Sequence, residues 1–564
     1  MKKWLEINKY FLALVFLFFS LAIFLRFYRL NTITSPYWEE AALGYDSYSL
    51  LETGKDHHGN SLPIAAVESF GDYKASFYFY AAIPFIKIFG LNVLAIRLPS
   101  ALSGLAIVFG TAFLAINLVN FLYSEKKFFK EKRFLFLITL FLTTISPWAI
   151  NFSRGAWESN LATAFLIWAM NFFFFYQKNT QKTYFLPLAS LFFILSSYTY
   201  HANKLIAPLV AIFLALFWLI DRFKNKQKFQ KNELVNIVAT VALAGLMFLP
   251  LLMASRTDVG QQRFKETSIF SEIKVIEYSN QKKAEYNNVW WARIYYHRYL
   301  LFAKEIAFNL GDHFSFKYLF LSGDGNLRHN SQITGQLYHL DFIFLILAII
   351  YLIKKRKFYS LLIFVYIFIA FLPSALTTNT PHALRTLSAM PMFIVLISIG
   401  VWQTLIYFKN PKARRLILIF LLVYYLTEVA IFWRYYSVSH PLKSANSWQD
   451  GYEELMTDLA KLNDGKKTIY ISREQGRPAM YYWFFNQIDP LSVQGANKTA
   501  VKDQGEFLTY QNLVFFNKST EIKQNGIVAA APEFIKKLSG KKILLKEIKD
   551  KSATTIWQIV DYQL

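Results

Sequence analysis

The chain has 564 residues, of which 54% are hydrophobic and 18% aromatic, and its formal charge is +24. This composition is more apolar than that of an ordinary soluble domain and indicates a membrane protein. The chain contains no cysteine, which excludes disulfide bonds, thiolate catalysis and cysteine-ligated zinc. No small-residue cleavage site follows the first apolar run, so we expect that run to be retained as a helix.

The positive charge is concentrated in short basic clusters between apolar runs, such as "EKKFFKEKR", "KKRK" and "KNPKARR". Short loops rich in Lys and Arg are typical of the cytoplasmic side of a membrane. The charge therefore predicts topology, and we expect no nucleic-acid partner. If every cluster is cytoplasmic, the chain is a multi-pass protein of the cell membrane with its amino terminus inside and its carboxyl terminus outside.

Apolar runs of membrane-spanning length predict about eleven transmembrane helices. The first follows the basic amino terminus, and the last ends just before a more polar tail. They lie near residues 10–28, 97–121, 134–150, 157–176, 184–200, 204–221, 234–254, 338–354, 358–376, 387–408 and 414–434.

The run "ASFYFYAAIPFIKIFG" lies between the first two predicted spans. A helix of about 16 residues rises only about 24 Å, whereas the hydrocarbon core is about 30 Å thick. A crossing here would also move the cluster "EKKFFKEKR" to the outside. We therefore predict an amphipathic helix in the outer interface, where its Phe and Tyr rings meet the headgroup region.

The composition changes after about residue 434. The stretch "DGYEELMTDLAKLND" predicts a helix capped by Asp450, and "KKTIYIS", "QNLVFFNK", "KKILLKEIK" and "TTIWQIVDYQ" predict short strands. The sequence thus predicts an α-helical polytopic membrane domain over residues 1–434, with a first outer loop near 30–96. A small soluble α/β domain outside the membrane is predicted over 435–564.

The predicted outer loops hold most of the unusual polar residues of the chain. Carboxylates and cations from distant segments reach one membrane face, which is what a site for a charged, membrane-anchored substrate needs. These residues are Glu39, Glu40, Asp56, His57, His58, Asp72, Lys74, Arg154, His201, Lys204, Asp324, Arg328, His329, His382 and Arg385.

Each of these motifs also has a plain structural interpretation. Glu39 and Glu40 could simply begin a helix, whose amino-terminal dipole favours acidic residues. The histidines of "DHHG" could be solvated turn residues instead of metal ligands, and "GDGNLRHN" could be an ordinary turn. Asp72 and Lys74 could form a surface pair worth under about 1 kcal/mol, and "NTPHALR" could cap a helix. Each motif alone is weak, but together on one face they favour a site.

The segments "WEEAALGYDSYSLLETGKDHHGNSLPI", "FGDYKASFYFY" and "RLPSALSG" resemble glycosyltransferases of the GT-C class that use lipid-linked sugars. Within that class, they resemble the protein O-mannosyltransferase and aminoarabinose (lipid A) transferase superfamily. "SPWAINFSRGAWESN", "YTYHANKLIAP", "GDGNLRHN" and "NTPHALRTLSAMP" are similar to later loops of that family. The resemblance covers roughly residues 1–430. It implies the GT-C fold and a sugar donor on polyprenyl phosphate that is used at the outer leaflet.

The resemblance also implies roles for residues of the first outer loop. The family has Asp-Glu at the start of this loop, and its Asp is catalytic. Here Glu39 takes the place of that Asp, with a side chain one methylene longer, and Glu40 is its neighbour. Asp72 and Lys74 match, by order, a second acidic residue and a nearby lysine. On this basis Glu39 would deprotonate the acceptor hydroxyl and Lys74 would hold the leaving phosphate.

The sequence therefore predicts a membrane glycosyltransferase that moves a sugar from a polyprenyl-phosphate donor to a protein, lipid or cell-surface glycan. The predicted catalytic residues are Glu39, Glu40 and Asp72. The predicted substrate-binding residues are Lys74, Arg97, Arg154, His201, Arg328, His329, His382 and Arg385. No cofactor is required by this scheme, although Asp72, His57 and His58 could hold a divalent metal cation.

A transporter or flippase of an anionic lipid-linked glycan is the alternative function. It would also use basic residues on the outer face. Transporters, however, usually bind their substrates near mid-membrane on broken helices. The predicted spans here carry few charges, and the polar groups lie in outer loops, which favours an enzyme.

Overall fold

A computed structural model describes residues 9–122, 129–257, 266–355 and 360–564. The chain divides into two compact units. Met1–Arg26, Leu102–Ser153 and Trp157–Phe432 form what we call the membrane unit. Phe27–Ala101, Arg154–Ala156 and Trp433–Leu564 form what we call the loop–tail unit. Parts of the predicted basic clusters, and the first two residues of the predicted span 358–376, lie outside the described residues.

The membrane unit is helical, as expected for apolar runs that must satisfy their backbone hydrogen bonds without water. A helix is present at each of the eleven predicted spanning segments. Together with the shorter helices of this unit, their bounds are Lys9–Phe27, Val93–Leu122, Phe129–Ile145, Pro147–Phe152, Glu158–Lys178, Phe185–Thr199, Asn203–Lys224, Lys231–Ser255, Ile273–Glu285, Trp290–Tyr295, Arg298–Asp312, Asp341–Lys355, Ser360–Ala375, Met390–Tyr407 and Pro411–Arg434.

Seven helices among the described residues are long and apolar enough to cross a membrane. Two more apolar helices at predicted spans, Phe185–Thr199 and Ser360–Ala375, are shorter. A 15-residue helix rises only about 22 Å, so length alone does not make it a crossing. The prediction of a multi-pass membrane protein is confirmed. The number of eleven crossings and the orientation of the termini stay predictions. The seven helices are Lys9–Phe27, Val93–Asn120, Glu158–Lys178, Asn203–Lys224, Lys231–Ser255, Leu387–Tyr407 and Pro411–Lys443.

The predicted span near 134–150 is interrupted. Its helix ends at Ile145, and a short helix, Pro147–Phe152, begins at once. The Ser146 side chain caps the new helix by accepting from the Ala149 amide over 3.4 Å, and a proline at the first helical position suits such a start. The dipeptide Ser146-Pro147 is therefore a helix boundary, which the prediction of one continuous apolar span did not include.

The segment predicted to lie in the interface forms the helix Phe77–Phe89. With 13 residues it rises only about 20 Å. Within the loop–tail unit the Tyr78 hydroxyl donates to the Ile96 carbonyl over 3.0 Å, whereas Ile88 and Phe89 are exposed. The helix thus has a packed face and an exposed apolar end, and its place in the membrane interface stays a prediction.

The loop–tail unit contains ten short strands. They are β1 (Val67–Ser69), β2 (Asp72–Lys74), β3 (Thr468–Ser472), β4 (Lys502–Asp503), β5 (Glu506–Phe507), β6 (Thr509–Tyr510), β7 (Leu513–Phe516), β8 (Gly526–Ala530), β9 (Lys541–Lys549) and β10 (Thr555–Gln563). Six of them form a sheet in the order β6-β7-β3-β8-β10-β9. Strand β3 is parallel to β7 and β8, and the other pairs are antiparallel.

Four strands of the tail, β3, β7, β9 and β10, confirm the predicted ones. Strand β8 was missed because "GIVAA" lacks the alternation of a half-exposed strand. It is buried along its whole length, between β3 and β10. The helices of this unit are Trp38–Thr53, Phe77–Phe89, His440–Lys443, Tyr452–Leu462, Pro478–Phe485, Pro490–Asn497 and Pro532–Lys537.

The predicted tail helix is present as Tyr452–Leu462, but its predicted cap is wrong. Gly451, in the left-handed region with φ 88°, occupies the N-cap position. The Asp450 carboxylate instead accepts from the Lys551 amide over 2.7 Å and from the Ser35 hydroxyl. Asp450 therefore joins the tail to the segment that leads into the helix Trp38–Thr53.

The helix Trp38–Thr53, which we call the loop helix, packs against the tail helix Pro478–Phe485. A Cβ atom at Gly44 would lie 2.6 Å from the Phe484 ring and 2.9 Å from Ile96, so this contact requires glycine. Residues of the first outer loop and of the tail thus share one packed unit. The predicted domain boundary at residue 434 stays a prediction, because packing does not show which segments fold independently.

Candidate functional site

The loop helix places Glu39 and Glu40 in its first turn. Acidic residues there suit the positive end of the helix dipole, so the plain structural interpretation applies to both. A residue of the tail fixes the start of this helix: the Trp38 amide donates to Gln449 Oε1 over 2.9 Å. The two carboxylates nevertheless lie in different surroundings, and this difference separates what they can do.

Glu40 forms a buried, bidentate ion pair with Arg97. Arg97 Nε lies 2.9 Å from Glu40 Oε1, and Arg97 Nη2 lies 2.7 Å from Glu40 Oε2. The Ala156 amide also donates to Oε1, over 2.6 Å. Neither charged side chain is exposed to solvent. An ion pair this deep is tolerated only when its remaining hydrogen-bonding groups are satisfied, as they are here.

The Arg97 guanidinium has five N–H groups, and each of them has an acceptor. Two donate to Glu40, and the other three donate to main-chain carbonyls of the segment that enters the loop helix. These carbonyls belong to Leu30, Thr34 and Ser35, at 2.9, 3.0 and 3.0 Å. Arg97 was predicted to bind substrate, but this geometry favours a positioning role that fixes the path of the chain towards Glu39.

Glu39 lies beside Lys74. Glu39 Oε2 is 3.6 Å from Lys74 Nζ, and the exposed fractions of the two side chains are 35% and 10%. The Tyr37 hydroxyl donates to the same carboxylate oxygen over 3.3 Å. The partly exposed carboxylate can accept a proton. The mostly buried ammonium group can bind an incoming anion.

Lys74 is positioned by a hairpin. Strands β1 and β2 pair so that Lys74 lies opposite Val67. The turn places Phe70 and Gly71 at φ 53° and 71°, the pattern of a tight hairpin turn. Phe70 is a bulky residue for this conformation, and its ring contacts Trp38 edge-on at 4.9 Å. The hairpin is therefore fixed against the start of the loop helix, which brings Lys74 to Glu39.

Asp72, predicted to be catalytic or a metal ligand, lies at the start of β2 and is half-buried. Its Oδ1 accepts from the amide of the adjacent Tyr73 over 2.8 Å. This contact stabilises the hairpin. Its predicted roles stay predictions.

His57 is held by a carboxylate that was not among the predicted site residues. Asp46 Oδ1 lies 2.6 Å from His57 Nδ1 and 3.0 Å from the His57 amide. Burial raises the pKa of the Asp46 carboxyl to about 7 and lowers the pKa of His57 to about 4. Between about pH 4 and 7 the pair therefore carries one proton, on the Asp46 carboxyl, and the His57 ring is neutral.

His58 stacks on His57, with ring centroids 3.8 Å apart. Its Nδ1 faces Lys502 Nζ at 3.2 Å, and its Nε2 lies 3.8 Å from Glu68 Oε1. Burial, together with His57, lowers the pKa of His58 to about 2, so this ring is neutral at physiological pH. The two histidines predicted as metal ligands thus contact Asp46 and Glu68.

Arg154 belongs to the loop–tail unit. Its Nη2 donates to the Tyr28 carbonyl over 2.7 Å, and its guanidinium lies over the rings of Trp433 and Tyr436 at 5.1 and 5.5 Å. Burial lowers the pKa of Arg154, although an arginine remains charged at any physiological pH. These contacts describe a buried cation held by aromatic faces.

The other predicted substrate-binding residues lie in the membrane unit. Arg385 Nη1 donates to Thr377 Oγ1 and the Thr378 carbonyl, at 2.7 and 2.8 Å. The Arg328 carbonyl accepts from the Asn151 side chain over 3.0 Å. The predicted residues of this unit are His201, Arg328, His329, His382 and Arg385, and their convergence with Glu39 on one site stays a prediction.

His329 and His382 lie together with Asp324 in the membrane unit. Their ligand atoms lie within 4.8 Å of one another, and this is the one group of three or more His, Asp or Glu of this kind among the described residues. The residues that could hold a metal cation are therefore these three, whereas the sequence suggested Asp72, His57 and His58. Nothing in "GDGNLRHN" and "NTPHALR" alone showed that the two segments meet.

A cavity of about 620 Å³ lies in the loop–tail unit. Ser35 and Pro36, just before the loop helix, line one part of it, and tail residues including Tyr452, Phe485 and Lys546 line the rest. Lys546 is already paired with carboxylates of the same lining. The walls therefore offer hydrogen-bond donors, acceptors and aromatic rings with largely compensated charge.

The fold is similar to that of solved membrane glycosyltransferases. ArnT from Cupriavidus metallidurans in the apo state is 11% identical, with a TM-score of 0.51, and the match covers 98% of this chain and 96% of that chain. The structure of the same protein bound to undecaprenyl phosphate is 11% identical, with a TM-score of 0.50, and the match covers 98% and 97%. This similarity confirms the predicted GT-C fold.

A third similar structure is the apo oligosaccharyltransferase from Archaeoglobus fulgidus. It is 12% identical, with a TM-score of 0.50, and the match covers 85% of this chain and 64% of that chain. No protein-family model matches the chain, and neither does any curated protein sequence. At such low identities these similarities describe the fold, and the chemistry has to be argued from the residues.

The Glu40–Arg97 pair predicts a large effect on stability. Glu40→Gln leaves the Arg97 guanidinium buried without its counter-charge, which should cost about 3–5 kcal/mol of the free energy of unfolding. We expect Tm to fall by about 3–4 °C in thermal unfolding of the purified full-length protein. The matched control, Lys461→Gln, breaks an ion pair whose lysine is 70% exposed and should cost under about 1 kcal/mol. Equal Tm values for both variants would contradict a structural role for Glu40.

The buried His58 predicts acid sensitivity. Its folded-state pKa of about 2 lies below the ordinary value of 6.5, so the unfolded state binds the proton more tightly. Stability should therefore fall as pH drops through the window from about 6.5 to 2, by up to about 1.4 kcal/mol per pH unit for this group. Asp46 and His57 have shifts of opposite sign and largely cancel between about pH 4 and 6.5.

This prediction is checked by the difference in Tm between pH 7.0 and pH 5.0. We expect the loss of Tm to be smaller in His58→Gln than in the wild type. His297, an exposed histidine of the membrane unit, supplies the control variant His297→Gln, which should keep the wild-type pH dependence. An unchanged pH dependence in His58→Gln would show that His58 is protonated as readily in the folded protein as in the unfolded one.

Proposed function

We propose that this protein is an integral membrane glycosyltransferase that moves a sugar from a polyprenyl-phosphate-linked donor to an acceptor hydroxyl on the outer face of the membrane. The contact between Glu39 and Lys74 is the observation that carries this proposal. The fold shared with ArnT, a structure of which holds undecaprenyl phosphate, supports the class of donor. No observation favours the transporter alternative.

In the proposed reaction Glu39 acts as the general base. Its carboxylate takes the proton of the acceptor hydroxyl while the hydroxyl oxygen attacks the anomeric carbon of the donor sugar. The bond between that carbon and the phosphate oxygen breaks, and polyprenyl phosphate leaves with the electron pair. A positioned base of this kind contributes roughly 100- to 10,000-fold to a rate.

Lys74 is proposed to hold the phosphate of the donor. A lysine ammonium binds phosphate as a compact point charge, and stabilising a leaving group in this way is commonly a large part of catalysis. Before the donor binds, Lys74 neutralises Glu39 at 3.6 Å. We propose that the phosphate takes Lys74 away from Glu39, which frees the carboxylate to accept a proton only when a donor is present.

Glu40 and Arg97 are proposed to act on this reaction only through position. Their charged groups contact each other, and Arg97 also donates to carbonyls of the segment that leads into the loop helix. The ion pair keeps the first turn of the loop helix in place, and with it the Glu39 side chain. Both residues are therefore positioning residues in this account, whereas the sequence predicted a catalytic role for Glu40 and substrate binding for Arg97.

We propose that the acceptor occupies the cavity of the loop–tail unit. Its residue Pro36 is three positions before Glu39, so the two Cα atoms are at most about 11 Å apart. Its volume lies in the range of ordinary ligand sites, and its donors, acceptors and rings suit a polyhydroxyl compound such as a glycan. A protein hydroxyl or a lipid headgroup would give the same chemistry at Glu39.

Glu39→Gln tests the proposed base. The amide keeps the shape of the side chain but cannot accept the proton, so release of polyprenyl phosphate should fall about 100-fold or more. We would measure initial rates of release from polyprenyl-phosphate-linked sugars by the full-length protein in liposomes containing a crude extract of acceptors. Glu39→Asp should keep measurable activity.

Glu52→Gln is the matched control for this experiment. It makes the same change on an exposed carboxylate of the loop helix and should leave the rate within twofold of the wild type. If Glu39→Gln also stayed within a few-fold of the wild type, Glu39 would not be the base.

Lys74→Ala tests the phosphate contact. It should lower the rate at limiting donor at least tenfold and much less at saturating donor, because the lost cation mainly binds the donor phosphate. Lys74→Arg should restore only part of the rate, since its planar guanidinium presents a different hydrogen-bond geometry. The control Lys55→Ala removes an exposed lysine of the same loop. A wild-type rate for Lys74→Ala at limiting donor would contradict the proposed contact.

A further inference from the structure

Asp324, His329 and His382 bring three potential metal ligands together from two separate segments of the membrane unit. Asp324 and His329 lie in the turn "GDGNLRHN", and His382 lies more than fifty residues further along the chain. Their ligand atoms lie within 4.8 Å of one another, and Asp324 and His329 are buried. The mechanism proposed above uses none of the three.

The carboxylate of Asp324 organises this cluster. Asp324 Oδ2 lies 2.7 Å from His329 Nδ1 and accepts from the Ala383 amide over 2.8 Å. Oδ1 accepts from the Asn326 amide and from the Asn330 side chain, both over 3.1 Å. Asp324 therefore fixes the orientation of the His329 ring and ties the turn to the residue that follows His382.

The two imidazole rings contact each other with their planes tilted by 46°. Their centroids are 4.8 Å apart. The His329 ring also contacts Phe152 and Trp157, with centroids 5.8 and 5.9 Å away. A hydrophobic shell of this kind is common around metal sites.

We propose that Asp324, His329 and His382 bind one divalent transition-metal ion, of which Zn²⁺ is the best fit. Two imidazole groups and one carboxylate form a borderline donor set, which suits zinc and its neighbours better than Mg²⁺ or Ca²⁺, which prefer oxygen ligands. Bonds of about 2.0–2.2 Å in tetrahedral geometry place ligand atoms roughly 3.4 Å apart. Side-chain rotations that shorten the widest separation by about 1.4 Å, and that lengthen the 2.7 Å between Asp324 Oδ2 and His329 Nδ1 if these two atoms are ligands, close the site.

Three protein ligands leave one position of a tetrahedral zinc open. The metal would join the turn at Asp324 to the segment of His382, so that both move as one piece of the membrane unit. The opposing interpretation is a hydrogen-bonded cluster that needs no metal. The two interpretations predict different amounts of metal bound per chain. Neither of them depends on whether the protein transfers sugars.

Metal binding is tested on the purified full-length protein, prepared with an affinity tag that contains no histidine. After treatment with a chelator and its removal, Zn²⁺ is titrated by calorimetry, and bound metal is counted by mass spectrometry. We expect one Zn²⁺ per chain and a rise in Tm on addition of Zn²⁺, with no such response to Mg²⁺. A wild-type protein that retains less than about one tenth of a Zn²⁺ per chain overturns the proposal.

Variants assign the bound metal to this cluster. His329→Ala and His382→Ala should each weaken Zn²⁺ binding at least tenfold and abolish the Zn²⁺-dependent rise in Tm. The control His339→Ala removes a histidine that is 44% exposed in the same unit and should bind Zn²⁺ like the wild type. His382→Ala should melt like the metal-free wild type, which shows that it folds. Unchanged binding in both cluster variants, or an equal loss in His339→Ala, would place the metal elsewhere and overturn the assignment.

Discussion

The buried ion pair between Glu40 and Arg97 is the constraint on which the arrangement of the first outer loop depends. Arg97 uses all of its N–H groups, on Glu40 and on three carbonyls before the loop helix, and Glu40 also accepts from the Ala156 amide. The pair therefore joins three stretches of chain that are distant in sequence. Such a pair adds little net stability compared with a hydrophobic substitute, but breaking it is costly. It specifies one arrangement of the loop and disfavours others.

The position of Glu39 follows from this constraint. Successive residues of a helix point about 100° apart, so the neighbour of a carboxylate fixed towards the interior has to point elsewhere. Glu39 points towards Lys74, which the β1–β2 hairpin holds in place. Two adjacent acids of the same type thus obtain different roles: one is buried and structural, and the other is partly exposed and available for chemistry.

Much of the fold was predictable, because it depends on patterns that the sequence displays directly. Long apolar runs located the helices at the eleven predicted spans, and alternating residues located four strands of the tail. The helix boundary at Ser146 was missed because the capping residue lies inside an apolar run. The strand Gly526–Ala530 was missed because a fully buried strand shows no alternation of polar and apolar residues. Asp450 was misread as a cap, because its real partners are far away in sequence.

The site was predictable only in part. The resemblance of the first loop indicated Glu39 and Lys74, which lie 3.6 Å apart, and their roles stay proposals. The same pattern gave Glu39 the place of the family's catalytic Asp, but it did not predict that Glu40 is buried, because that burial depends on Arg97, nearly sixty residues away. Asp46 lies seven residues after Glu39, on the same face of the loop helix, and this spacing is the signal that could have identified it. No local sequence pattern indicated that Asp324 and His382 lie close together.

The central claim is that Glu39 and Lys74 act as one unit in sugar transfer. The most direct measurement is a double-mutant cycle with Glu39→Gln, Lys74→Ala and the double variant, in which the rate of polyprenyl phosphate release at limiting donor is compared at matched amounts of folded protein. If the two residues cooperate in one transition state, the double variant should be about as slow as the slower single variant. Effects that multiply independently would contradict this account.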